Sequence, residues 1–102
     1  MSLRLDIATI ARIEADRIYA LILPETDDQK VNVPLPFLEN VLTTGQKLEH
    51  LAPNYVRKAL DKLEGTVKIR RFRRKAVIPK ESLAFVGAAF RIAADSAEGR
   101  IP

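Results

Sequence analysis

The first half of the chain alternates between apolar and polar residues with a period of two. From Leu3 to Ile13 the odd positions hold mainly apolar or small residues, while several even positions are charged. This alternation is typical of a strand with one buried face. A helix is the rival interpretation, since apolar residues also recur near one helical stripe and no glycine or proline occurs before Pro24. Because Glu14 and Arg17 would fall on that stripe, and because isoleucine is abundant, we expect a strand.

Turn-forming residues divide the rest of the first half into short elements. We expect the first strand to turn back into a second one, followed by a third strand and a short helical segment. The expected segments are a turn at 14–17, a strand over 18–23, a turn over 24–28, a strand over 30–35, one helical turn over 36–42, a break at 43–45 and a last segment over 46–51. Pro34 suits an edge strand or a strand end, because proline cannot donate a ladder hydrogen bond.

The second half begins with an amphipathic pattern. After Pro53, apolar residues recur at helical spacing, charged residues face away from them, and Gly65 follows where the helix would end. This spacing predicts a helix over 54–64. Residues 66–78 are expected to be extended around a basic run. Segment 80–97 is apolar on two opposite sides as a helix and on one face as a strand, and its alanine content favours the helix.

Together these elements predict one α+β domain over residues 1–102. A small curved sheet or SH3-like barrel, formed by the mainly β first half (1–51), precedes a helix, a basic extended segment and a terminal helix in the mixed second half (52–102). We detect no internal repeat at this level. The first half resembles a family of very short bacterial proteins expected to form SH3-like β-barrels, over three runs: Ala11–Leu21, Val31–Pro34 and Gly45–Leu48. The resemblance implies a barrel but no particular function.

Charge is unevenly distributed along the chain. The net charge of the 102 residues is +4. Residues 1–51 carry five basic and eight acidic side chains, a net charge of −3, whereas residues 52–102 carry twelve basic and five acidic side chains, a net charge of +7. This asymmetry indicates either an anionic partner for the basic half or mutual neutralisation of the two halves.

Several classes of chemistry lack the residues they need. The absence of cysteine excludes disulfides, thiolate nucleophiles and cysteine-ligated metal sites. His50 is the single histidine, and we expect it to be solvated or structural rather than catalytic. Motifs for nucleophilic hydrolases, phosphate loops and dinucleotides are missing, so we expect no catalytic residue, no metal and no cofactor. Without a long apolar run or a signal-peptide pattern, the expected location is the cytoplasm.

Residues 68–75 hold the densest charge in the sequence. Six cations and one aromatic residue lie within eight positions: Lys68, Arg70, Arg71, Phe72, Arg73, Arg74 and Lys75. Guanidinium groups match phosphate geometry, and an aromatic ring could stack on a base or anchor the segment in the core. The segment is therefore a candidate nucleic-acid site. The alternative is an exposed hairpin whose charges aid solubility or pair with the acidic first half.

A second resemblance bears on the same region. The run Arg74–Leu83 resembles the Ile-Pro-Lys-Glu turn of swapped-hairpin transition-state regulators and antitoxins, and this implies a dimeric DNA-binding domain. We expect a non-enzymatic module that binds DNA or RNA, with an acidic protein surface as the alternative partner. Because segment 80–97 is apolar on two sides, we also expect a homodimer with Phe85 and Ile92 in its interface.

Overall fold

The computed structural model describes residues 3–23 and 29–99, with side chains from Asp6 onward. Helices and short strands follow one another along the chain, and the domain is α+β as expected. The helices are α1 (Leu3–Ile22), α2 (Leu35–Leu48), α3 (Pro53–Thr66) and α4 (Lys80–Ala97). The strands are β1 (Lys30–Pro34), β2 (Lys68–Arg70) and β3 (Lys75–Pro79), and a 3₁₀ turn (Arg71–Arg73) joins β2 to β3.

Helix α1 occupies the segment for which two strands and a turn were expected, and that prediction is wrong. Small and apolar residues at helical spacing form its buried stripe: Ala8, Ala11, Ala15 and Ile18. Glu14 lies on this stripe, as the argument against a helix anticipated, but its carboxylate accepts a 3.2 Å hydrogen bond from Arg17 Nη1 one turn later. Arg17 itself remains exposed. The expected turn over 24–28 lies outside the described residues.

Helix α2 is also longer than expected, since it continues through the predicted break at 43–45. Gly45 is buried within it. A Cβ atom at this position would lie 2.7 Å from Leu60 Cδ2 on α3, so the missing side chain allows the two helices to approach closely. The glycine therefore marks a helix contact and not a helix end.

Other predictions are confirmed. The strand expected over 30–35 is β1, with Pro34 as its last residue, and the helix expected over 54–64 is α3. Segment 80–97 is helical throughout. Helix α4 packs against α1 and α3 inside one chain, which covers most of its apolar residues on both sides but leaves Phe85 exposed. This packing accounts for the two-sided pattern without a second subunit.

The three strands form one open antiparallel sheet in the order β1-β3-β2. The expected SH3-like barrel is not confirmed, because the sheet does not close and the described residues of the first half contribute only β1 to it. One face of the sheet supplies core residues, among them Val33, Ala76 and Ile78. In the part of the chain that the structure describes, no helix is long and apolar enough to cross a membrane.

The structure reveals an internal repeat that the sequence analysis did not detect. Helix α1, β1 and α2 form one helix–strand–helix unit, and α3, β3 and α4 form a second one, 45 positions later in the chain. Strand β1 covers 30–34 and β3 covers 75–79, and each ends in a proline that immediately precedes a helix. Buried pairs repeat at the same offset: Ala11 and Val56, Ile18 and Leu63, Leu38 and Leu83, Val41 and Val86.

The β1–β3 ribbon, to which each unit contributes one strand, has a pseudo-two-fold axis. In the β1–β3 pair Lys30 lies opposite Pro79 and Pro34 lies opposite Lys75, so the register is symmetric about the central pair of Asn32 and Val77. The hydrogen bonds at the ends of the ribbon obey the same symmetry. The Leu35 amide donates to the Arg74 carbonyl at 3.1 Å, and the Lys80 amide donates to the Gln29 carbonyl at 2.8 Å.

Candidate nucleic-acid interface

The basic segment forms a β-hairpin in the second unit. Arg70 at the end of β2 pairs with Lys75 at the start of β3, and residues 71–74 close the hairpin. The closing turn is a single 3₁₀ turn, within which the Arg74 amide donates to the Arg71 carbonyl at 3.2 Å. Arg74 then adopts a left-handed conformation with φ of 51°, which reverses the chain into β3. The backbone therefore projects the arginines from a compact tip.

Every residue from Lys68 to Lys75 is exposed. Phe72 is fully exposed, at 106% relative accessibility, so its ring packs against none of the residues that the structure describes. Of the two roles considered for this ring, anchorage in the core is ruled out. The hairpin tip instead presents an unusual combination of an unsupported aromatic ring and neighbouring arginines, and an aromatic ring held in water in this way can stack on a base.

The cations of the hairpin form no ion pairs within the described residues. The acidic groups that pair do so elsewhere: Arg12 with Asp95 at 2.6 Å and Glu98 at 2.9 Å, Arg17 with Glu14 at 3.2 Å, Arg57 with Glu49 at 2.6 Å, Lys62 with Glu81 at 2.7 Å and Arg91 with Asp16 at 3.7 Å. Some of these pairs join the acidic and basic halves, but none reaches the hairpin. Within the part of the chain that the structure describes, pairing between the two halves therefore leaves the charge of the hairpin unneutralised.

Three of those ion pairs, which form two networks, shift the pKa of one group in each network. Hydrogen bonds to Glu98 and Asp95 raise the pKa of the Arg12 guanidinium and fasten α1 to the end of α4. The hydrogen bond from Lys62 lowers the pKa of the exposed Glu81 carboxyl. Both networks lie on the helices, and they support the scaffold rather than the hairpin.

The positive surface continues from the hairpin onto the outer face of the sheet. Alternate strand residues point away from the core, in register across the three strands: Lys30, Asn32 and Pro34 on β1, Lys75, Val77 and Pro79 on β3, and Lys68 and Arg70 on β2. None of these outward residues is acidic or aromatic. The outer face and the hairpin tip together form what we call the cationic face.

Asn32 and Lys30 are members of the cationic face that the sequence analysis missed. Asn32 lines a shallow groove with Arg70, Arg73 and Lys75, which joins β1 to the hairpin. The signal for both residues was present in the predicted third strand, where they alternate with Val31 and Val33. Their position on the same face as the hairpin cations depends on the pairing of β1 with β3, which local patterns do not specify.

The remaining candidate residues lie away from the cationic face. His50 is exposed in the turn between α2 and α3. On α4, Phe85 is 37% exposed beneath the Lys62 ammonium, which lies 5.7 Å from the ring centroid. Ile92 is half-buried beside Tyr55 in a shallow groove. Among the described residues, no cluster of three or more potential metal ligands occurs.

Comparison with known proteins gives no match to a protein family, a curated protein or a solved structure.

Proposed function

We propose that this chain is a non-enzymatic module that binds nucleic acid through the cationic face. The observation that carries the proposal is an exposed set of hairpin cations that have no acidic partner among the described residues, continuous with outward strand residues of which none is acidic. Phosphate groups are the natural ligand for such a surface, because Lys and Arg contacts release the counterions condensed on nucleic acid.

The hairpin geometry supports the same function. Arg70, Arg73 and Lys75 border one groove, so the three cations lie close enough together to contact one ligand. Unpaired guanidinium groups can offer both of their donor edges to a phosphate. Binding also requires little rearrangement, because the strand pairing and the turn already fix the backbone that carries these side chains.

The test is a fluorescence-anisotropy titration of duplex DNA, single-stranded DNA and RNA at several salt concentrations. About four phosphate contacts to duplex DNA give a slope of log affinity against log salt near −3.6, and single strands give one near −2.8. Dissociation constants above about 100 μM for all three ligands near physiological salt would contradict the proposal, since non-specific binders alone reach roughly 1 to 100 μM. An acidic protein surface would then become the preferred partner.

Assembly is part of the proposal. A homodimer that uses Phe85 and Ile92 would place two cationic faces on one particle and increase avidity for a long nucleic acid. The exposure of Phe85 on α4 supports this interface, although the two-sided apolar pattern no longer requires it.

A further inference from the structure

We infer that the preferred ligand is duplex DNA, that the β1–β3 ribbon enters its major groove, and that Asn32 contacts a base edge there. This inference rests on the proposed function and specifies its ligand. The dimensions of the ribbon, its symmetry and the chemistry of its two central residues support this assignment.

The ribbon has the size and the accessibility that the groove requires. Two paired strands lie about 4.8 Å apart, and the major groove of B-DNA, about 12 Å wide, admits a two-stranded ribbon. The helices pack against the opposite face of the sheet, where Val33 and Ile78 are buried, so the outer face is unobstructed. Strand β2 and the hairpin tip then lie beside the groove, where cations meet the adjacent phosphates.

The composition of the outer face favours duplex DNA over the other nucleic acids. Sheets that bind single-stranded RNA stack bases on aromatic residues of the sheet surface, and the outward residues of these strands include none. Duplex RNA has a major groove too narrow for a ribbon. Phe72 is the single aromatic of the cationic face, and it lies at the hairpin tip and not over the strands.

The pseudo-two-fold axis matches the local symmetry of a DNA duplex. It passes through the pair of Asn32 and Val77 at the centre of the ribbon. Lys30 and Lys75 occupy equivalent positions near the two ends, about 14 Å apart along the ribbon at roughly 3.4 Å per residue. The two lysines can therefore approach the two DNA backbones, since paired protein elements follow the two-fold symmetry of their site.

The central pair supplies different chemistry from each strand. The Asn32 side chain is exposed and makes no hydrogen bond among the described residues, so both its donor and its acceptor are free. Asparagine can bond adenine at N6 and N7 simultaneously, and an apolar side chain such as that of Val77 contacts the thymine methyl group. We therefore expect sites with an adenine near the centre and a thymine next to it.

The experiment first uses the wild-type chain to select binding sites from a random duplex library. Anisotropy titrations then measure the affinity for the selected duplexes and for scrambled ones. The main variant is Asn32→Val, because valine occupies the equivalent position in β3 and suits a strand. Asn32→Ala is a second variant, and thermal unfolding checks that both variants are folded. Loss of the adenine contact should reduce the ratio of affinities for selected and scrambled duplexes about 5-fold to 150-fold. The slope of log affinity against log salt should not change. Replacing the selected adenine by 7-deazaadenine should weaken wild-type binding but not that of Asn32→Val.

Lys68→Gln is the control for a phosphate contact. It should make the salt slope shallower by about 0.9 and leave discrimination intact, because phosphate contacts carry no sequence information. No affinity of the wild-type chain for any nucleic acid would overturn both the proposed function and this inference. Steep, salt-dependent binding without sequence preference, tighter binding to single strands, or unchanged discrimination in folded Asn32→Val would overturn the inference alone.

Discussion

Substitution of Arg73 by glutamine is the sharpest test of the cationic face. Arg73 is exposed, lines the groove that contains Asn32, and has no acidic partner in the described part of the chain. If about four phosphates are neutralised, raising salt from 50 to 200 mM lowers duplex affinity about 150-fold at a slope of −0.9 per contact. With one contact removed, the same change of salt lowers it only about 40-fold. The variant should weaken all duplex sequences about equally.

Lys58→Gln is the matched control, because it also removes one positive charge. Lys58 is exposed on α3 and has no ion pair within the described residues, but it does not belong to the cationic face. Its salt slope should equal that of the wild type. Thermal unfolding of both variants should agree with the wild type to within about 0.5 kcal/mol, as is usual for surface substitutions. Equal slopes for wild type, Arg73→Gln and Lys58→Gln would refute the phosphate contact of Arg73.

Three further predictions concern the tip, the helix contacts and assembly. Phe72→Ala should leave the stability of the fold unchanged, because its ring is fully exposed. It should weaken the binding of single strands by about 1–3 kcal/mol, because the ring can lose only contacts with the ligand. A large drop in melting temperature would contradict this prediction. Gly87→Ala should destabilise the fold by roughly 1–2 kcal/mol in denaturant titrations, since the added Cβ would lie 2.9 Å from the Tyr19 ring of α1. Gly65→Ala, with nothing within 4 Å, should instead stabilise by up to about 1 kcal/mol, and the same sign for both would refute the packing argument. Light scattering should give a dimer that Phe85→Glu or Ile92→Glu dissociates, whereas a concentration-independent monomer would remove the proposed interface.

The first helix shows why local periodicity can mislead. Positions four apart are also an even number apart, so Ile7, Ala11 and Ala15 satisfy a period of two as well as a helical period. The residues that distinguish the two are buried at even positions, namely Ala8 and Ile18. A stripe built largely of alanine gives a weak hydrophobic signal. The buried carboxylate of Glu14 weakened it further, because its pairing with Arg17 is visible only in three dimensions.

The elements that were predicted correctly have clear local sequence patterns, and their tertiary contacts agree with those patterns. Helix α3 has a clear apolar stripe, and β1 combines strict alternation with a terminal proline. The exposure of residues 68–75 also follows from local sequence, since six cations in eight residues are too costly to bury. The internal repeat was missed because it conserves burial more than identity: Ile18 corresponds to Leu63, and Ala11 to Val56.

Comparison of equivalent positions in the two units distinguishes the residues that the fold requires from those that the proposed binding requires. Positions that build the unit agree between them, as in the strand-ending Pro34 and Pro79. The seven residues immediately before the equivalent strands β1 and β3 differ most, since they are LPETDDQ in the first unit (23–29) and KIRRFRR in the second (68–74). One unit carries three acidic residues where the other carries five basic ones, so the helix–strand–helix pattern does not require positive charge at these positions. The cationic hairpin is therefore a specialised feature of the second unit, and the first unit contributes Asn32 to the same face.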